Sequence, residues 1–215
     1  MYINSKAIID IFKKLNESDI EYLLIRNINN ELPYRLKKSK DIDILVSYEQ
    51  KKKLYNFFQN NGFKKVPHPH RNNIYLYGAK KFEFLKNKDG LIFDLNYQLM
   101  CRSLNRGEWM PLDKKIQQSA WENKRFEKID ENFGYWTLSY NDEFITLIVR
   151  SIFDKREFQE GYIKRIEVLK DKIDLKDVKE KMKLVFFKFT PYLLEMIKNK
   201  DYENIVKNYI KFKEY

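Results

Sequence analysis

The chain has 215 residues, 43% of them hydrophobic, with 16 Phe, 15 Tyr and 3 Trp, and that composition excludes wholesale disorder, because disordered chains lack aromatic and aliphatic surface to bury. A single cysteine, Cys101, excludes an intramolecular disulfide framework and suits a reducing compartment. The net charge of +11 invites a polyanionic partner, but 33 Lys against 9 Arg is the balance of a biased composition rather than of a surface built for phosphate forks.

In chain order, Ile8, Ile9, Phe12 and Leu15 predict one apolar stripe of a helix over 5–17. EYLLIR at 21–26 has strand length, and a polar loop with Pro33 runs through 27–40. DIDILV at 41–46 alternates and then turns apolar, as a half-buried strand does. Ser47 with Gln50 three residues on predicts a capping box opening a helix, which Asn60-Asn61-Gly62 ends. Over 63–97 the pattern is a meander with strands at 74–77, 81–85 and 91–97. Asn87-Lys88-Asp89-Gly90 makes its hairpin turn. An irregular or helical stretch follows, then two weaker strands near 125–128 and 134–138. From Asn141 onward helical spacing dominates, with Phe144, Leu147, Ile148 and Ser151 on one helix and Ile163, Ile166 and Leu169 on the next. Pro191 falls in the first turn of a later one. The expected class is α+β: a mixed sheet with flanking helices in a core at 1–110, and a mostly helical region at 111–215.

Asp41-Ile42-Asp43 is the leading chemical feature. Two residues apart on a strand means one face, so both carboxylates enter one small volume. Two close anions repel, and a divalent cation such as Mg²⁺ removes that conflict while keeping waters for substrate phosphates. Taken alone, the tripeptide also fits a solvated strand. Asp94, in LIFDLNYQL, shares a face with Ile92 and Asn96. If its strand neighbours the D-x-D strand, the three carboxylates can hold two metals ~3.5–4 Å apart for in-line displacement at phosphorus. Arg26 reads either as a phosphate fork or as a salt bridge to Asp41 or Asp43. Ser39 and Lys40 precede the D-x-D strand and are within reach of a phosphate or are plain loop groups. His68 and His70 lack a third ligand nearby. Arg71 reads as a substrate contact or as a free surface group, and Arg102 and Arg106 either hold an anionic acceptor or, the reading preferred, form a salt-bridged surface. Asp142 and Glu143 enrich a helix's first turn, Trp109, Trp121 and Trp136 read as core or domain-junction aromatics, and Cys101 as structural.

YLLIRN at 22–27, ELP at 31–33, KDIDILV at 40–46, NNGF at 60–63, FDLNYQL at 93–99 and LSYNDEFITLIVR at 138–150 together resemble a bacterial nucleotidyltransferase family of the polymerase-beta-like superfamily, found among surface-glycan and antibiotic-related genes. The resemblance covers most of 20–170. It implies a nucleotidyltransferase-like sheet, with Mg²⁺ or Mn²⁺ on Asp41, Asp43 and Asp94. The nucleotide is held by Arg26, Asn27, Ser39 and Lys40. A nucleoside monophosphate then passes from a nucleoside triphosphate to a small acceptor (sugar, sugar phosphate or antibiotic-like compound). The superfamily's first strand usually ends in Gly-Ser or Gly-Gly, whose amides hold the triphosphate; Arg26-Asn27 stands there instead. That departure keeps open a catalytically weak nucleotide-binding or accessory protein on the same fold. A basic nucleic-acid-binding protein is the third reading. No apolar run reaches the ~18 residues of a membrane span, and the amphipathic start with Asp10 does not read as a signal peptide. A cytoplasmic protein is therefore expected.

Overall fold

The structure is a computed structural model and describes residues 1–69 and 74–214. Its strands are β1 (Tyr22–Leu24), β2 (Ile42–Val46), β3 (Lys64–Val66), β4 (Glu83–Lys86), β5 (Ile92–Asn96), β6 (Met100–Arg102), β7 (Trp109–Pro111), β8 (Arg125–Lys128) and β9 (Gly134–Thr137). Its α-helices are α1 (Ser5–Asn16), α2 (Lys51–Asn60), α3 (Lys114–Glu122), α4 (Tyr140–Val149), α5 (Glu160–Leu169), α6 (Leu175–Phe186), α7 (Thr190–Lys198) and α8 (Tyr202–Lys211). The class is α+β, as expected, and the chain beyond Leu138 is helical. Two compact units emerge, each from two stretches: Met1–Leu99 with Lys124–Leu138, and Met100–Asn123 with Ser139–Tyr215. One cut near 110 would sever β8 and β9 from the sheet they complete.

In the first unit, seven strands lie in the order β3-β4-β5-β2-β1-β9-β8. β2 pairs antiparallel with β1 and parallel with β5. A parallel pair needs a long crossover, and α2, β3 and β4 supply it. One sheet face carries Ile42, Ile44, Val46, Phe93 and Leu95, which cluster with Ile8, Phe12 and Leu15 of α1 and with Leu54 and Phe58 of α2. Phe93 is the hub. Its ring centroid lies 4.9 Å from Phe58, 5.6 Å from Phe63 and 6.0 Å from Phe12. Each such buried side chain contributes about 1.5–3 kcal/mol.

Local chemistry explains most boundaries. Asn4 caps α1 by accepting from the Lys6 amide at 3.0 Å. At the β4–β5 hairpin, Asn87 Oδ1 accepts from the amides of Asp89 (3.0 Å) and Leu91 (2.9 Å), and Gly90 supplies φ +87°. Gly62 at φ +79° follows α2, where Asn60-Asn61-Gly62 was expected to stop it.

Five expectations change. The buried face of α1 uses Ile11 with Ile8, Phe12 and Leu15, and Ile9 is only half-buried, because the stripe follows the rotation of the helix rather than adjacency. β2 is buried at all five positions rather than alternately, since a central strand has neither edge nor open face. No capping box opens α2, which starts at Lys51. Gln50 instead accepts the Glu21 amide at 2.8 Å and donates to the Asp19 carbonyl at 3.3 Å, pinning the entry to β1. Residues 74–77 form no strand: Ile74, Leu76 and Tyr77 are exposed, and Lys64–Val66 pairs with β4 in their place. The stretch after Tyr97 holds a two-stranded ribbon, β6 with β7.

The second unit contains that ribbon and α3 to α8. α4 runs on into a π-helical turn at Arg150–Lys155, and Asp154 within it accepts the Arg102 amide of β6 at 2.9 Å. Val178, Met182, Phe186, Leu193, Ile197 and Ile205 fill the interior between the last helices. Pro191 sits in the first turn of α7, as expected.

Candidate active site

Strand register brings the carboxylates together. β2 and β5 pair so that Asp43 lies directly opposite Asp94. Neighbouring strands are ~4.8 Å apart, and paired residues project to the same face. Asp41, two residues before Asp43, returns to that face. The result is one oxygen from each of Asp41, Asp43 and Asp94 within 4.8 Å of the others. Asp43 and Asp94 are each 8% exposed, and Asp41 is more open. Their strands are anchored from behind by Ile42, Ile44, Phe93 and Leu95 in the core, so the carboxylates cannot drift apart without breaking the sheet.

Electrostatics makes the arrangement costly. Two unit charges ~4 Å apart repel by roughly 4 kcal/mol at the effective dielectric of a protein surface. Arg26, just beyond β1, answers part of this: its guanidinium sits 2.7 Å from Asp43 Oδ1. Of the two roles open to Arg26, the salt bridge to Asp43 is the one present here. An all-oxygen donor set of three carboxylates, with two of them buried, fits hard divalent cations such as Mg²⁺ or Mn²⁺.

The other residues expected on the nucleotide side, Asn27, Ser39 and Lys40, occupy the loop between β1 and β2. Asn27 Oδ1 accepts from the Glu31 amide (2.9 Å) and the Leu32 amide (3.2 Å), and its amide donates to the Tyr135 hydroxyl at 3.0 Å. Lys40 pairs with Glu31 at 2.5 Å. Ser39 is exposed. Glu31 therefore ties both ends of the loop, a role not foreseen for it. ELP was visible as a motif, but only the fold brings Glu31 onto Asn27 and Lys40. Tyr135, on β9, carried no local signal at all.

Other candidates have other roles. His68 packs edge-on against Phe84 with ring centroids 4.4 Å apart, while His70 and Arg71 lie outside the described residues. Arg102 stacks over the Trp109 ring at 4.8 Å. Burial, helped by Asp154, pushes the Cys101 thiol up to about 12, so it is no nucleophile at neutral pH. Asp142 is fully buried: it accepts from Ser119 Oγ (2.9 and 3.0 Å) and Ser139 Oγ (2.6 Å), and Lys181 Nζ lies at 3.2 Å.

No protein-family model and no curated protein matches the chain. Among solved structures it is similar to the lincosamide antibiotic adenylyltransferase LnuA bound to lincomycin, at 12% identity over 79% of this chain and 98% of that one, with a TM-score of 0.46. It is also similar to the antibiotic-resistance factor ANT(2'')-Ia, at 11% identity over 91% of this chain and 97% of that one, with a TM-score of 0.47. Among the described residues no helix is long and apolar enough to cross a membrane.

Proposed function

We propose that the chain is a metal-dependent nucleotidyltransferase that moves a nucleoside monophosphate from a nucleoside triphosphate to a small acceptor, a sugar, sugar phosphate or antibiotic-like compound. The observation that carries this reading is the register pair Asp43–Asp94 with Asp41 beside it, three carboxylates within 4.8 Å. A structural role would need no such concentration of like charge on one buried sheet face. The motif resemblance of 22–27, 40–46 and 93–99 supplies the reaction class and the kind of acceptor.

Asp41, Asp43 and Asp94 would hold Mg²⁺ or Mn²⁺. When bound, the cation neutralises phosphate charge and stabilises displacement at the α-phosphorus. An acceptor oxygen forms the new bond to that phosphorus as pyrophosphate leaves, and Asp94 takes the acceptor's proton. Arg26, Lys40 and Ser39 face the phosphates, and Asn27 holds the loop that presents them. The protein's share is positioning and charge compensation.

The test is isothermal titration with each ribonucleoside triphosphate, with and without Mg²⁺, on the wild type and on Asp41→Asn/Asp43→Asn. Metal-dependent binding by the wild type, lost in the double variant, is expected. Transfer from an α-labelled triphosphate to a panel of aminoglycosides, lincosamides and sugar phosphates should fall by at least ~10³-fold in that variant. A wild type that binds no triphosphate with or without metal overturns the reading.

A further inference from the structure

The residue that departs from the usual Gly-Ser pair is also the one that sits on a proposed metal ligand. Arg26 follows β1, whose antiparallel pairing with β2 sets Leu24 opposite Ile44. The Ile25 amide bonds the Asp43 carbonyl at 3.1 Å, so the backbone holds Arg26 alongside Asp43 whatever its side chain does. The guanidinium then reaches Asp43 Oδ1 at 2.7 Å, and the side chains of Arg26 and Asp43 are 23% and 11% exposed. The two groups form an ion pair of opposite charges, partly shielded from water. The pair occupies a carboxylate oxygen that a divalent cation would also claim. A guanidinium also binds phosphate oxygens through the same fork.

We propose that Arg26 is an internal counter-ion that exchanges partners: it neutralises Asp43 when the site is empty, gives that carboxylate up to the metal, and transfers to the triphosphate. This rests on the nucleotidyltransferase reading and adds to it a coupling residue. Metal and Arg26 compete for Asp43, so metal alone binds weakly. Nucleotide draws Arg26 away, so each ligand helps the other by the same factor. Gly-Ser amides could hold phosphate but could not compete for the carboxylate, so the coupling belongs to this chain's substitution.

The experiment uses the full chain and two binding readouts that need no turnover. Mn²⁺ alone is titrated and followed by the loss of the free-ion electron paramagnetic resonance signal. Each of the four α,β-methylene ribonucleoside triphosphates is titrated calorimetrically in EDTA. Wild type, Arg26→Gln, Arg26→Lys and Asp43→Asn are compared, with circular dichroism confirming that each is folded. Arg26→Gln should bind Mn²⁺ roughly tenfold tighter than wild type and metal-free nucleotide roughly tenfold weaker, within the ~5–150-fold span of typical couplings. Arg26→Lys, which keeps the cation but loses the fork, should fall between wild type and Arg26→Gln in both. Unchanged or weakened Mn²⁺ binding in Arg26→Gln overturns the exchange, and so does unchanged nucleotide binding. Those results would leave the enzyme reading standing, provided Asp43→Asn still lowers Mn²⁺ affinity. If no variant binds Mn²⁺ or nucleotide, both fall together.

Discussion

Two buried acidic centres, one in each unit, solve the same problem in opposite ways. Asp142 in the helical unit is surrounded by donors: two serine hydroxyls, with the Lys181 ammonium beside them. A carboxylate served in that way is a joint, tying α3, α4 and α6 together. In the sheet unit, Asp41, Asp43 and Asp94 are crowded against one another, and the cation on Asp43 comes from Arg26. A carboxylate set served in that way holds an unfavourable charge density that a ligand can relieve. Burial alone does not mark a site; the sign of the company does.

Removing a carboxylate separates the two cases, and the largest effect belongs to the joint. Asp142→Ala leaves two serine hydroxyls without their acceptor and Lys181 with Asp177 alone at 2.7 Å, so it should cost about 2–5 kcal/mol by urea unfolding. A loss below ~1 kcal/mol would break the comparison.

Glu83 sharpens it from within the first unit. It is buried on β4, bonded by Lys65 (2.8 Å), Lys51 (3.0 Å) and the Tyr97 hydroxyl (2.6 Å). Burial pushes its carboxyl up, but the bonds from Lys65, Tyr97 and Lys51 more than reverse this, leaving its pKa below the ordinary glutamate value. A lowered native pKa means the unfolded chain takes the proton first. The stabilisation is therefore full above the unfolded value near pH ~4.3 and is lost as pH falls through the native one. Glu83→Gln should cost about 1–3 kcal/mol at pH 7. It should also flatten the loss of stability below pH ~4.3, read from unfolding curves at pH 3 to 7.

The smallest shift has the opposite sign. Asp94→Asn keeps the shape and removes one of three like charges, so in EDTA it should raise stability by ~1 kcal/mol while Mn²⁺ binding is lost. A destabilised Asp94→Asn would place Asp94 in the same class as Asp142.

Much of this was legible in the chain. KDIDILV and FDLNYQL show by alternation alone that Asp41 and Asp43 share a face and that Asp94 faces away from Phe93 and Leu95. The apolar residues that root these strands were legible for the same reason. Asp142 was legible only as a first-turn acid of α4, because its partners Ser119 and Lys181 lie on other helices. Gln50 was misread as a capping residue because its partners, Asp19 and Glu21, precede it by about thirty positions.

Period-two spacing and turn chemistry are local properties, so the sequence by itself determined the two strands that carry the carboxylates, the β4–β5 turn and the shared face of the D-x-D pair, but not β3 or the β6–β7 ribbon. Register, by contrast, is set by how two distant segments slide against each other while burying their apolar sides. Only the tertiary structure could decide that β2 and β5 run parallel with Asp43 opposite Asp94. A slip of one residue would have turned Asp94 into the core and left no site. The hold of Arg26 on Asp43 was decided in the same way, by the antiparallel pairing of β1 with β2.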